Sequence, residues 1–187
     1  MKSPFGFIVT PVNDTRYDNV KKIGGVDFIT SSSKEDHTVS NRFANVVVTP
    51  LNYKGEIKVG DILVVHHNVF KYYNDMKGRE KSGRSFLKDN LFIVEPNQFF
   101  MYKQDNKWKS HLDYCFIKPS SKEESVIFNS DKYQALTGTI EITNTELTSL
   151  GVNTGDKVCF KPESEYEFKI DDKTLYRMKS KNITMML

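Results

Sequence analysis

The chain has 187 residues, 38% hydrophobic and 12% aromatic, enough to fill one ordinary core or two small ones. Its 27 lysines and arginines against 24 aspartates and glutamates leave a net charge of only +3, so any electrostatic function has to come from a local cluster rather than from the whole chain. The apolar run behind Phe5 is interrupted by Thr10 and Pro11, too soon for a secretory core or a membrane span, so the expected location is the cytoplasm, a host's if the gene is viral, with no membrane partner.

In chain order, short β-branched and aromatic runs bounded by Gly, Pro, Asn and Asp predict strands over 5–12, 43–50, 61–67, 90–95 and 98–103. A second set is predicted over 112–119, 136–143, 156–162, 174–179 and 182–187. No window holds an apolar stripe at helical spacing over three turns, so the expected class is all-β. Gly60-Asp61 and Gly155-Asp156 read as tight turns in which glycine takes a positive φ and a buried strand follows at once. Cys115 and Cys159 sit inside apolar runs without metal spacing and read as buried free thiols in a reducing compartment.

The two sets of strands read as copies of one another. "GFIVTP" matches "YCFIKP", "NVVVTP" matches "GTIEIT", "IKVGDILVV" matches "VNTGDKVCF", and "DNLFIVEPNQFFMY" matches "KTLYRMKSKNITMM", all in the same order. The offset is 108 from Pro11 to Pro119, 95 from Gly60 to Gly155 and 84 from Leu91 to Leu175. The first copy therefore carries two longer loops, 13–42 and 66–88. Loop 13–42 holds Gly24, Gly25 and the apolar tract from Val26 to Ile29 ahead of a long polar run. The plainer reading of "GGVDFIT" is one more strand of the first copy.

Taken together, a first strand running into a polar excursion, a Gly-Gly loop followed by apolar residues, a Val59-Gly60-Asp61 turn and an Asn182-Ile183 terminal strand resemble the GroES family of co-chaperonins. The resemblance spans nearly the whole chain as two tandem units, and its organisation is similar to tandem co-chaperonins of plastids and to divergent ones of bacteriophages. It implies two tandem GroES-like small β-barrels, 1–103 and 112–187, with 104–111 as linker. It implies a non-enzymatic protein that assists folding by capping a nucleotide-bound GroEL-type chaperonin as a ring-shaped homo-oligomer. The chaperonin-binding residues would be Gly24, Gly25, Val26, Phe28 and Ile29 of a mobile loop. In an extended segment Val26 and Phe28 point one way and Asp27 the other, so docking leaves the carboxylate in water. Family members close their rings by pairing the first strand of one subunit with the last of its neighbour, and "GFIVTP" and "NITMML" would be the edges. The second copy has no Gly-Gly, and its Val126 to Phe128 reads as a small core strand.

Loop 66–88 is the other local feature. Lys71, Lys77, Arg79, Lys81, Arg84 and Lys88 stand against Asp75 and Glu80, a local +4 that exceeds the charge of the whole chain. With Tyr72 and Tyr73 interleaved, Lys77, Arg79, Lys81, Arg84 and Lys88 form a candidate nucleic-acid or anion site, the alternative function being a viral assembly or nucleic-acid-associated binding module. The plainer reading is a solvated hairpin whose rings pack on the domain. No catalytic residue, metal site or cofactor is expected: His66 and His67, adjacent on a strand, would point to opposite faces, and no catalytic or phosphate-binding motif accompanies them.

Overall fold

A computed structural model describes residues 1–17, 20–29, 39–121 and 133–187. The chain is all-β, with 50% strand and 9% helix among the described residues. It divides into two compact units, Met1–Lys107 and Trp108–Leu187. The break falls within 104–111, which is not irregular: Asp105 and Asn106 turn the chain with positive φ, and a strand follows at once.

Unit 1 contains β1 (Phe7–Pro11), β2 (Val20–Ile23), β3 (Val26–Ile29), β4 (Phe43–Val48), β5 (Ile62–Val65), β6 (Tyr72–Asn74), β7 (Glu80–Ser82), β8 (Phe86–Lys88), β9 (Leu91–Val94) and β10 (Phe99–Gln104). The strand that crosses the division is β11 (Lys107–Ser110). Unit 2 contains β12 (Tyr114–Ser121), β13 (Tyr133–Ile142), the short helix α1 (Thr145–Ser149), β14 (Lys157–Phe160), β15 (Tyr166–Ile170), β16 (Lys173–Lys179) and β17 (Ile183–Met186). All ten strands predicted from the sequence are present. The additional ones are mostly short or lie inside the two long loops of unit 1, where polar residues mask the alternation.

The main sheet of unit 1 runs β8-β9-β1-β4-β5-β10, and that of unit 2 runs β15-β16-β12-β13-β14-β17. Strand for strand the order is the same, and so is the register. Phe99 pairs with Val65 and Met101 with Val64, as Ile183 pairs with Phe160 and Met185 with Cys159. The first strand of each unit bulges at the same place, between Ile8 and Val9 and between Phe116 and Ile117. The glycine-aspartate turns are also superimposable in their bonding. Gly60 N–H donates to Val46 and Gly155 N–H to Ile140, each at 2.8 Å, while the Asp61 and Asp156 carbonyls accept from Val46 and Ile140 in return. Both glycines have φ near +95°, a region closed to other residues without strain (94° and 98°).

Each unit has its own core. In unit 1 Phe7, Val9, Leu63, Phe70, Phe92 and Phe99 are fully buried, and Phe7 meets Phe99 edge-on at 5.5 Å between ring centres. In unit 2 Cys115, Ile117, Ile140, Val158 and Met178 are buried beside Leu147 of α1. Each such side chain contributes about 1.5–3 kcal/mol on leaving water. Asn144 caps α1, accepting from the Leu147 N–H at 2.8 Å and donating to Tyr114 O and Ser180 Oγ.

Two expectations change. Among the described residues none of the sheets closes into a barrel, so the fold is established at the level of antiparallel sheets. Closure requires end strands long enough to meet with consistent tilt, and β8 has three residues and pairs only with β9. Nor is "GFIVTP" a sheet edge: β1 is hydrogen-bonded to β4 on one side and β9 on the other. β17, by contrast, is an edge, with Met185, Met186 and Leu187 exposed. No helix among the described residues is long and apolar enough to cross a membrane.

Candidate functional site

The excursion between β1 and β4 leaves the domain through a hydrogen-bonded root. Asn41, 7% exposed, donates from Nδ2 to the carbonyls of Val12 (2.9 Å) and Thr15 (2.8 Å). Its Oδ1 accepts from Phe43 N–H and its own N–H donates to Arg16 O. Tyr17 and Ser40 add an antiparallel bridge, so the outgoing and returning chains are tied together. Asn13 and Asp14 precede this root in the left-handed region, where short polar side chains are tolerated (φ 60° and 55°).

Within the excursion β2 and β3 form a hairpin in a sheet of their own. Gly24 (φ 59°) and Gly25 (φ 84°) are its two turn residues, both left-handed, as a type I′ turn requires. The register pairs Ile23 with Val26, Lys22 with Asp27, Lys21 with Phe28 and Val20 with Ile29. The five residues singled out for chaperonin binding are thus brought together on one hairpin, Gly24 and Gly25 as its turn and Val26, Phe28 and Ile29 in β3. "GGVDFIT" does contain a strand, but one that does not join the main sheet. A lone two-stranded ribbon is marginally stable in water. The counterpart in unit 2, with Val126 to Phe128, lies outside the described residues.

The basic loop is a second hairpin. β6 and β7 pair Tyr72 with Ser82, Tyr73 with Lys81 and Asn74 with Glu80. Asp75 closes the turn: its Oδ1 accepts from Lys77 and Arg79 N–H, both at 2.9 Å, and its N–H donates to Arg79 O. Strand alternation separates the ribbon into two faces. Tyr73, Lys81 and Arg79 share one, with Lys77 at the tip, and all four are exposed. Tyr72, Ser82 and Glu80 share the other, which looks onto Arg16. Arg84 and Lys88 are exposed but lie beyond the ribbon, in the following turn and in β8. Of the two tyrosines expected to present rings, only Tyr73 faces solvent.

Arg16, which no sequence motif singles out, organises this region. Its guanidinium lies 3.5 Å from the Tyr72 ring centre and 5.0 Å from that of Phe92. Nε donates to Phe70 O (2.7 Å), Nη1 to Ser82 Oγ (3.0 Å) and Nη2 to Lys71 O (3.4 Å). Burial lowers its pKa, which its electrostatic and hydrogen-bonding interaction with the Tyr72 side chain partly offsets. Tyr17 accepts from Tyr72 N–H at 2.9 Å, and burial raises its phenolic pKa. Ser40 Oγ donates to His67 O. The two long loops of unit 1 therefore spring from one shared root, beside an open cavity of about 630 Å³ lined by Arg16, Tyr17, Tyr72, Phe86, Asp89 and Asn90 among others. An arginine-tyrosine pair at the mouth of a long excursion was the only available signal.

His66 and His67 depart from the expected opposite faces. β5 ends at Val65, alternation stops there, and the two rings lie 4.1 Å apart. His66 Nδ1 accepts from Asn68 N–H. No three His, Cys, Asp or Glu side chains among the described residues converge on a common point. Cys115 is a buried free thiol whose pKa burial pushes up to about 12, with Asp113 adding to the shift; Cys159 is free and half-buried. No protein-family model matches the chain, and the search of curated proteins found no match to it.

Proposed function

We propose that the chain is a tandem GroES-like co-chaperonin that caps a GroEL-type chaperonin and assists protein folding, each unit being a GroES-like fold. The observation that carries this reading is the β2–β3 hairpin, a Gly-Gly turn followed by Val26, Asp27, Phe28 and Ile29, mounted between the first two strands of the main sheet on a tied root. The shared strand order of the two units supports the tandem reading.

A marginal ribbon is suited to this work. Ordering it on a partner costs several kcal/mol, so one hairpin binds weakly and several on one ring bind strongly. Docking uses Val26, Phe28 and Ile29 while Asp27, whose burial unpaired would cost several kcal/mol, stays in water. The ring assembles through the open side of β17. The protein binds no nucleotide itself.

The test is native mass together with capture by a bacterial double-ring chaperonin, with ADP, with ATP and without nucleotide. A ring that co-elutes only with nucleotide-bound chaperonin, and no longer does so after Phe28→Asp, supports the reading. A protein that ignores chaperonin in every nucleotide state sinks it.

A further inference from the structure

The outer face of the β6–β7 ribbon has no part in the chaperonin reading, and its composition is unusual for a solvated hairpin. Tyr73 is 49% exposed, whereas its neighbour Tyr72 is packed under Arg16. Directly across from Tyr73 is Lys81, and Arg79 follows two pairs nearer the tip, on the same face, where Lys77 completes the set. Of the ribbon's two acids, only Asp75 shares this face. Glu80 is on the opposite face, where its charge acts on Arg16. Asp75 is engaged in its own turn through Oδ1, and its Oδ2 lies 3.8 Å from Lys81 Nζ. That ion pair is more than half exposed on the lysine side, so it is easily exchanged for a phosphate (54%).

We propose that this face, Tyr73 with Lys77, Arg79 and Lys81, is a binding site for single-stranded nucleic acid. The three cations meet successive phosphates, and one unpaired base stacks on the Tyr73 ring. A duplex does not fit this surface, because its bases are already stacked and offer the ring no free face. The ribbon is held at its inner face by Arg16 and Tyr17, so the outer face is presented on a fixed base rather than on a free loop. Sequence preference is expected to be slight, since ring stacking accepts every base.

The test is fluorescence anisotropy of labelled dT20 and rU20 titrated with the full chain at several salt concentrations. Binding at low salt should weaken on a log–log plot with a slope of about −2, the value for three phosphates on a single strand. Arg79→Glu with Lys81→Glu should weaken binding at least about tenfold, and Tyr73→Ala about fivefold or more, with Tyr73→Phe restoring it. Lys161→Glu with Lys169→Glu, exposed lysines of unit 2, should change it little. Circular dichroism verifies that each variant is folded. No anisotropy change at about 50 mM salt overturns the proposal. So does an equal loss in the unit 2 variant, or an unchanged affinity in Tyr73→Ala. Displacement by polyglutamate as effective as by unlabelled dT20 overturns it too, and assigns the face to an acidic protein surface. Capture on chaperonin is read through Phe28 and this site through Tyr73, so the failure of either leaves the other standing.

Discussion

Tyr17 and Tyr72, 55 residues apart in the chain, are joined by a 2.9 Å hydrogen bond from the backbone N–H of Tyr72 to the Tyr17 phenolic oxygen, and their rings stack at 6.0 Å. Through this contact the outgoing limb of one long loop supports the first strand of the other. Tyr17→Phe keeps the ring and removes the acceptor. It should cost about 1 kcal/mol, seen as roughly fivefold faster hydrogen exchange at the Tyr72 amide with little change in the β1 and β9 amides. Unchanged exchange at Tyr72 would show that the bond does not hold the two loops together.

Arg16 should be the most costly single residue at the root. Arg16→Ala leaves the carbonyls of Phe70 and Lys71 and the Ser82 hydroxyl without their donor and removes a guanidinium from the Tyr72 face. A loss of about 2–3 kcal/mol is expected in urea unfolding. Arg16→Lys should recover less than half of it, because an ammonium cannot reproduce the planar fork. Full recovery by lysine would reduce the role of Arg16 to charge alone.

The two glycine-aspartate turns give a direct comparison of the units. Asp61 Oδ2 accepts from Lys58 N–H at 2.8 Å and Asp156 Oδ2 from Asn153 N–H at 2.7 Å. Asp61 also accepts from Gln104 Nε2 at 3.2 Å. Asp61→Ala and Asp156→Ala should each cost about 1 kcal/mol, with the former slightly larger. Thermal melts of the two variants, compared with wild type, measure the difference. A loss confined to one of them would mean that equal geometry does not carry equal energy here.

Cys115 sets an alkaline limit on unit 2. Its ordinary pKa of 9.0 is raised to about 12 in the fold, chiefly by burial, so the native state holds the proton that an unfolded chain releases. The sign follows: this contribution is fully present below about pH 9 and is lost as pH rises toward 12, at about 1.4 kcal/mol per pH unit. Cys115→Ala should be less stable than wild type at pH 7 because it leaves a cavity, yet lose less stability between pH 9 and 11. Parallel pH profiles for the two proteins would show that the thiol does not titrate with unfolding.

The sequence by itself determined the all-β class, ten of the twelve strands that make up the two matching sheet orders and the positions that correspond between them. Its offsets of 108, 95 and 84 recur in the paired bulges, the glycine-aspartate turns and the last-strand registers. Those features are local: a positive-φ glycine, an alternation of period two and a proline each act within a few residues. Only the tertiary structure decided that β1 is interior, that the sheets do not close among the described residues, that Tyr72 is packed while Tyr73 is exposed, and that Arg16 joins two loops. These depend on which strands meet and on contacts between residues more than fifty positions apart. Neighbouring tyrosines read alike in a sequence, and only the pairing of Tyr72 with Ser82 and of Tyr73 with Lys81 assigns them to opposite faces.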